Sequence, residues 1–109
     1  MSALTLKKNP PLRDFQAYVA ELVKERGFEK ETVPELFMLL MEECGELAKA
    51  ARKALKMYMD KSKRGEGLHL AHDAADVFIY LLDICNHFGI DLEQAFREKE
   101  EVNKRRVWG

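Results

Sequence analysis

Leu36-Phe37-Met38-Leu39-Leu40-Met41-Glu42-Glu43-Cys44-Gly45-Glu46-Leu47 and, further on, Leu70-Ala71-His72-Asp73-Ala74-Ala75-Asp76-Val77-Phe78-Ile79-Tyr80 are apolar runs of helical period, each carrying two acids three residues apart. At about 100° per residue, Glu43 shares its direction with Leu36, Leu39, Leu47, Ala50 and Ala54, and Glu46 flanks that stripe. Asp73 lines up in the same way with Leu70, Val77, Tyr80 and Ile84, and Asp76 lies one turn on. The pattern predicts two helices that turn four carboxylates toward the interior. Ionised carboxylates in an apolar setting are costly, so such groups are protonated, paired with basic side chains, or bound to a metal. Oxygen-only ligands favour a hard ion, Mg²⁺ or Mn²⁺, over zinc.

Outward from these runs, the punctuation of the chain predicts four helices. Pro10-Pro11 fixes the entry of a first helix of about 15 residues, with Leu12, Phe15, Val19, Leu22 and Val23 on its apolar side and Gly27 at its end. Thr32-Val33-Pro34-Glu35 reads as a capping box that opens the second helix, which runs to the neighbourhood of Tyr58. Lys61, Lys63, Arg64, Gly65 and Gly67 mark an exposed turn before a third helix that begins near Leu68 and stops at Gly89. Asp91-Leu92-Glu93-Gln94 is a second capping box, opening a last helix to about Arg106. Strand-like alternation and internal repeats are missing, so the reading is all-α: a four-helix bundle in one domain over 1–109, with 1–9 a flexible lead-in.

The chain has 109 residues, 47% hydrophobic and 34% charged, an ordinary balance for a globular protein with a small core. The second helix carries a further apolar face of Phe37, Met41, Cys44, Ala48, Ala51 and Leu55. That is too much surface to leave wet, and it predicts completion of the bundle by homo-oligomerisation. A net charge of −1, from 18 basic and 19 acidic side chains, gives no reason to expect nucleic acid as a partner. The opening residues lack the apolar run of a signal peptide and no stretch is long enough for a membrane span, so the expected location is cytoplasmic, with no membrane partner. Cys44 and Cys85 suit reduced thiols within helices.

Glu42-Glu43-x-x-Glu46 followed by Asp73-x-x-Asp76 in an apolar helix resembles the MazG-like all-α nucleoside triphosphate pyrophosphohydrolases, whose signature is EExxE followed by ExxD. Leu12-Arg13-Asp14-Phe15-Gln16 is similar to the opening helix of that family, and Ala75-Asp76-Val77-Phe78-Ile79-Tyr80-Leu81-Leu82 to the segment around its final aspartate. Gly89-Ile90-Asp91-Leu92-Glu93-Gln94-Ala95-Phe96, with Lys99, Asn103 and Arg106, is similar to its closing helix, so the resemblance covers roughly residues 12–106. Asp73 departs from the pattern, being one methylene shorter than the family glutamate. Its reach falls by about 1.5 Å, which bears on whether it touches a metal directly or through water.

The resemblance implies hydrolysis of a nucleoside or deoxynucleoside triphosphate to its monophosphate and pyrophosphate, in the service of nucleotide-pool housecleaning, by a homodimer or dimer of dimers. Glu43, Glu46, Asp73 and Asp76 are then the metal ligands for Mg²⁺, with Mn²⁺ a possible substitute. Glu43 and Glu42 are the catalytic candidates, Glu42 the weaker because it points about 100° away from Glu43. Lys99, Asn103 and Arg106 fall on one line with Leu92, Ala95 and Phe96, a stripe that begins as core packing and whose polar end could reach the phosphates as point charge, hydrogen-bond donor and bidentate clamp.

Plainer readings exist for each feature. An isolated EExxE commonly decorates a solvated helix face, and Lys99 and Arg106 could serve salt bridges or the helix dipole. Lys49, Arg52, Lys53 and Lys56 map away from Glu43 and read as a solvated face, while His69 and His72 flank the acids as surface or supporting groups. Trp108, Tyr58 and Tyr80 could stack on a base, though packing is the commoner use of such aromatics. The competing function is a non-catalytic helical dimer that senses nucleotide or metal, or binds another protein.

Overall fold

The computed structural model describes residues 3–59 and 69–107, with the side chains of 57–59 left aside. Four α-helices follow in order: α1 (Leu12–Glu25), α2 (Val33–Met59), α3 (Leu70–His87) and α4 (Leu92–Lys104), with a single 3-10 turn at Phe28–Lys30 between the first two. Among the described residues there is no strand, in agreement with the all-α reading. The 3-10 turn was not foreseen, and Trp108, Lys61, Lys63, Arg64, Gly65, Glu66, Gly67 and Leu68 lie outside the described residues.

The chain forms two compact units, Glu31–Leu81 and Met1–Lys30 with Leu82–Gly109. In the first, α2 opens where its capping box says it should. Thr32 N–H donates to Glu35 Oε1 at 3.0 Å, its hydroxyl donates to the same oxygen at 2.8 Å, and Glu35 N–H returns a bond to Thr32 Oγ1 at 3.3 Å. These bonds, the backbone one first, hold the Glu35 carboxyl below its ordinary range. One turn on, Leu36 is fully buried, while Leu39, Leu47, Ala50 and Ala54 along the same stripe are half-buried.

In the second unit, α1 packs against α4 and the 3-10 turn, and Val19, Leu22 and Val23 of α1 and Leu82, Ile84 and Cys85 of α3 are buried. Gly89, at φ +64°, ends α3 in a Schellman arrangement: Ile90 N–H donates to Cys85 O at 2.9 Å and Gly89 N–H to Asn86 O at 3.2 Å. That left-handed turn is open to glycine at little cost. It aims the chain at Asp91, whose carboxylate caps α4 by accepting from Gln94 N–H at 3.1 Å. The box is only half closed, because the Gln94 side chain turns forward to Glu98 at 3.0 Å.

One expectation changes. No residue of α4 is buried, and Phe96, assigned to core packing, is 68% exposed; of the apolar residues in this 13-residue, charge-rich helix, Leu92 and Ala95 are half-buried. The described residues before α1 have no regular secondary structure, and Lys7 Nζ lies 3.5 Å from Asp14 Oδ2 of α1.

Candidate metal centre

Glu43 projects from the middle of α2, and Asp73 and Asp76 from the first two turns of α3. Each offers one carboxylate oxygen to a group whose members lie within 4.8 Å of one another. Two helices thus deliver three anionic oxygens to one spot, and no lysine or arginine among the described residues pairs with them. Like charges this close resist joint ionisation unless a cation sits among them. Burial, and then the charges of Asp76, Glu42, Asp73 and Glu46, push the Glu43 carboxyl above its ordinary range.

The structure sorts the four acids that the sequence assigned to the interior. Glu43 and Asp73 are half-buried, whereas Asp76 and Glu46 are exposed within the chain. Glu46 stands outside the close group, one turn beyond Glu43, and acts on it through charge alone. Glu42 is exposed and likewise acts through its field. At aspartate length, Asp73 places an oxygen within 4.8 Å of those of Glu43 and Asp76.

An all-carboxylate set of this kind fits a hard divalent cation. Three oxygens from two rigid helices leave several of the roughly six positions of Mg²⁺ for water or substrate phosphate. Zinc would be expected to recruit nitrogen or sulfur. His69 and His72 are exposed and face each other with ring centroids 6.3 Å apart, and neither joins the acidic group. Lys99, Asn103 and Arg106 belong to the unit built around α1; Asn103 is half-buried in the last turn of α4, and Arg106 lies just beyond that helix.

Tyr80 adds a neutral donor. It lies one turn after Asp76 on the same stripe and is half-buried; burial first, then the charges of Glu31, Glu43, Asp76 and Glu42, raise its phenol above the ordinary range, so it keeps its proton. The spacing from Asp76 was the signal that could have tied Tyr80 to the acids. Glu31 had no such signal, because it sits in the cap before α2, where helical periodicity says nothing.

Comparison with known proteins agrees with this chemistry. The family model described as PRA-PH, phosphoribosyl-ATP pyrophosphohydrolase, matches residues 12–105. The chain is also similar to a dATP/dGTP diphosphohydrolase of Salmonella phage PMBT28, with 36% identity over 84 residues. That alignment takes in 77% of this chain and 23% of the phage protein, so the chain spans about a quarter of the length of that relative. No solved structure matches the chain.

Proposed function

We propose that this chain, which belongs to the phosphoribosyl-ATP pyrophosphohydrolase family, hydrolyses a nucleoside or deoxynucleoside triphosphate between the α and β phosphates. Water adds to the α-phosphorus, the α–β anhydride breaks, and nucleoside monophosphate, pyrophosphate and a proton are released. The observation that carries this reading is the meeting of Glu43, Asp73 and Asp76 within 4.8 Å, with no basic partner among the described residues. Three carboxylate oxygens brought together from two helices suit a hard divalent cation.

Glu43, Asp73 and Asp76, with Glu46 close by, would hold Mg²⁺, or Mn²⁺ in its place. The ion supplies charge neutralisation for the triphosphate and a more acidic water. The residues of the chain do the rest. Glu43, and the neighbouring Glu42, are proposed to take the proton of an attacking water. Tyr80, protonated, offers a hydrogen-bond donor beside the acids that does not repel phosphate. Lys99, Asn103 and Arg106 are proposed to meet the phosphates. Assembly as a homodimer or dimer of dimers is part of the same proposal: Phe37, Met38, Met41 and Leu55 of α2 are 45%, 72%, 60% and 68% exposed, a face that needs covering.

The phage relative's name points to dATP and dGTP as the first substrates to try, and sanitation of the nucleotide pool is the role such activity would serve. The test is pyrophosphate release from each NTP and dNTP with Mg²⁺. Release from at least one, lost in Asp76→Asn, supports the proposal; stabilisation by Mg²⁺ and nucleotide with no turnover would identify a sensor instead.

A further inference from the structure

Asp83 lies near the end of α3 with its side chain only 8% exposed, and among the described residues no hydrogen bond reaches its carboxylate. A buried carboxylate without donors is costly unless a cation stands beside it. Its ion-pair partner is His87, one turn on, whose Nε2 is 3.6 Å from Asp83 Oδ1. That distance is too long for a hydrogen bond. It is close to the roughly 3.4 Å that separates two donors each about 2.1 Å from one tetrahedral ion. Both side chains line a cavity of about 190 Å³, which Lys24 of α1, Glu29 of the 3-10 turn and Asn86 also line.

Two of those neighbours are already engaged. Asn86 is taken up by Gln16, its Oδ1 accepting from Nε2 at 3.1 Å and its Nδ2 donating to the backbone carbonyl at 2.9 Å. Lys24 holds its Nζ 4.0 Å from Glu21 and makes no ion pair with Asp83. Glu29 is different: it is exposed and has no hydrogen bond or ion pair to a described residue. Its carboxylate does not lie within 4.8 Å of both other donors, and its three rotatable side-chain bonds let it swing into the cavity it lines. We propose that Asp83, His87 and Glu29 bind a zinc-class dication through one nitrogen and two carboxylate oxygens, with water in the remaining position. The nitrogen donor sets this chemistry apart from the all-oxygen centre, and the site shares no residue with Glu43, Asp73 and Asp76. The ion ties the last turns of α3 to the 3-10 turn after α1, within the unit Met1–Lys30 and Leu82–Gly109, and so staples that unit.

Titration of the full chain with Zn²⁺ in an Asp73→Asn background, where the acidic centre is disabled, tests the site without reference to turnover. Zn²⁺ is expected to bind at one site and to raise the melting temperature. Asp83→Asn and His87→Gln should each raise the dissociation constant by at least about tenfold, and Glu29→Gln should raise it too. In NMR spectra the ring signals of His87 should move at one equivalent, ahead of those of His69 and His72. Co²⁺ in place of zinc should give a visible band without the thiolate charge transfer that Cys44 or Cys85 would produce. A chain that takes up no zinc, binding that survives both Asp83→Asn and His87→Gln, ring shifts confined to His69 and His72, or a thiolate band overturns the site. Unchanged affinity in Glu29→Gln overturns the three-ligand set. Pyrophosphate release enters none of these readouts, so failure here leaves the proposed reaction standing.

Discussion

Asp73 and Glu43 bring carboxylate oxygens from two different helices within 4.8 Å of each other, with Asp76 completing the group. Removing one charge from such a set weakens cation binding more than it harms the fold, because it also relieves repulsion. Asp73→Asn should therefore abolish most of the stabilisation by Mg²⁺ seen in thermal unfolding, with metal affinity falling at least about tenfold, while the metal-free protein melts no lower than wild type. A melting curve still raised by Mg²⁺ in Asp73→Asn would remove Asp73 from the ligand set.

The same pair makes a geometric prediction. Asp73 already reaches the group at aspartate length, so the methylene added by Asp73→Glu, about 1.5 Å, displaces an oxygen that is already in place. Metal-dependent pyrophosphate release should fall by about tenfold in this variant. Equal or faster release would show that the cleft adapts to the longer side chain.

Asp83 supplies the pH dependence. Its carboxylate is 6% exposed, burial lifts its pKa above the ordinary value, and His87 at 3.6 Å opposes that lift; Lys24 of α1 and Glu29 of the 3-10 turn line the same small cavity. A carboxyl whose folded pKa is raised favours folding most below its unfolded pKa, and that contribution is lost as pH rises through the folded value. Asp83→Asn should thus gain stability on wild type near neutral pH, the gain shrinking as pH falls toward the ordinary carboxylate range. Urea denaturation at several pH values measures it, and a difference independent of pH would refute the assignment.

Gln16 holds its unit together through four bonds. Its Nε2 donates to Asn86 Oδ1 at 3.1 Å and Ile90 O at 2.8 Å, its Oε1 accepts from Leu92 N–H at 2.9 Å, and Asn86 Nδ2 donates to its backbone carbonyl at 2.9 Å. Gln16→Leu keeps the volume and strands three of these partners, so unfolding free energy should drop by about 2–3 kcal/mol. A loss below about 0.5 kcal/mol would mean that water replaces the amide freely.

Leu36 is fully buried beneath the first turns of α2. Truncation in Leu36→Ala should cost about 2–5 kcal/mol and be read in the denaturation midpoint. A neutral effect would place the core of that unit elsewhere.

Helix number, type and most boundaries were legible because their signals are local. Thr32 and Glu35 cap each other within one turn, and Gly89 ends α3 by its own backbone freedom. The acids were legible too, since stripes through Leu36 and Leu70 gave Glu43 and Asp73 a common direction. Phe96 misled because periodicity reports which residues share a face, and not whether anything lies against that face. Gln16 escaped notice for a related reason: its partners, Asn86, Ile90 and Leu92, are some seventy positions away.

The order of residues by itself determined an all-helical chain with two acidic pairs on apolar stripes, because capping, turn chemistry and helical period act over a few residues. Only the tertiary structure decided that oxygens of Glu43, Asp73 and Asp76 meet within 4.8 Å while Glu46 stands apart. Those outcomes depend on how closely two helices approach and how far each is rotated about its axis. Both are set by the packing of side chains distant in sequence, and no short-range rule contains them.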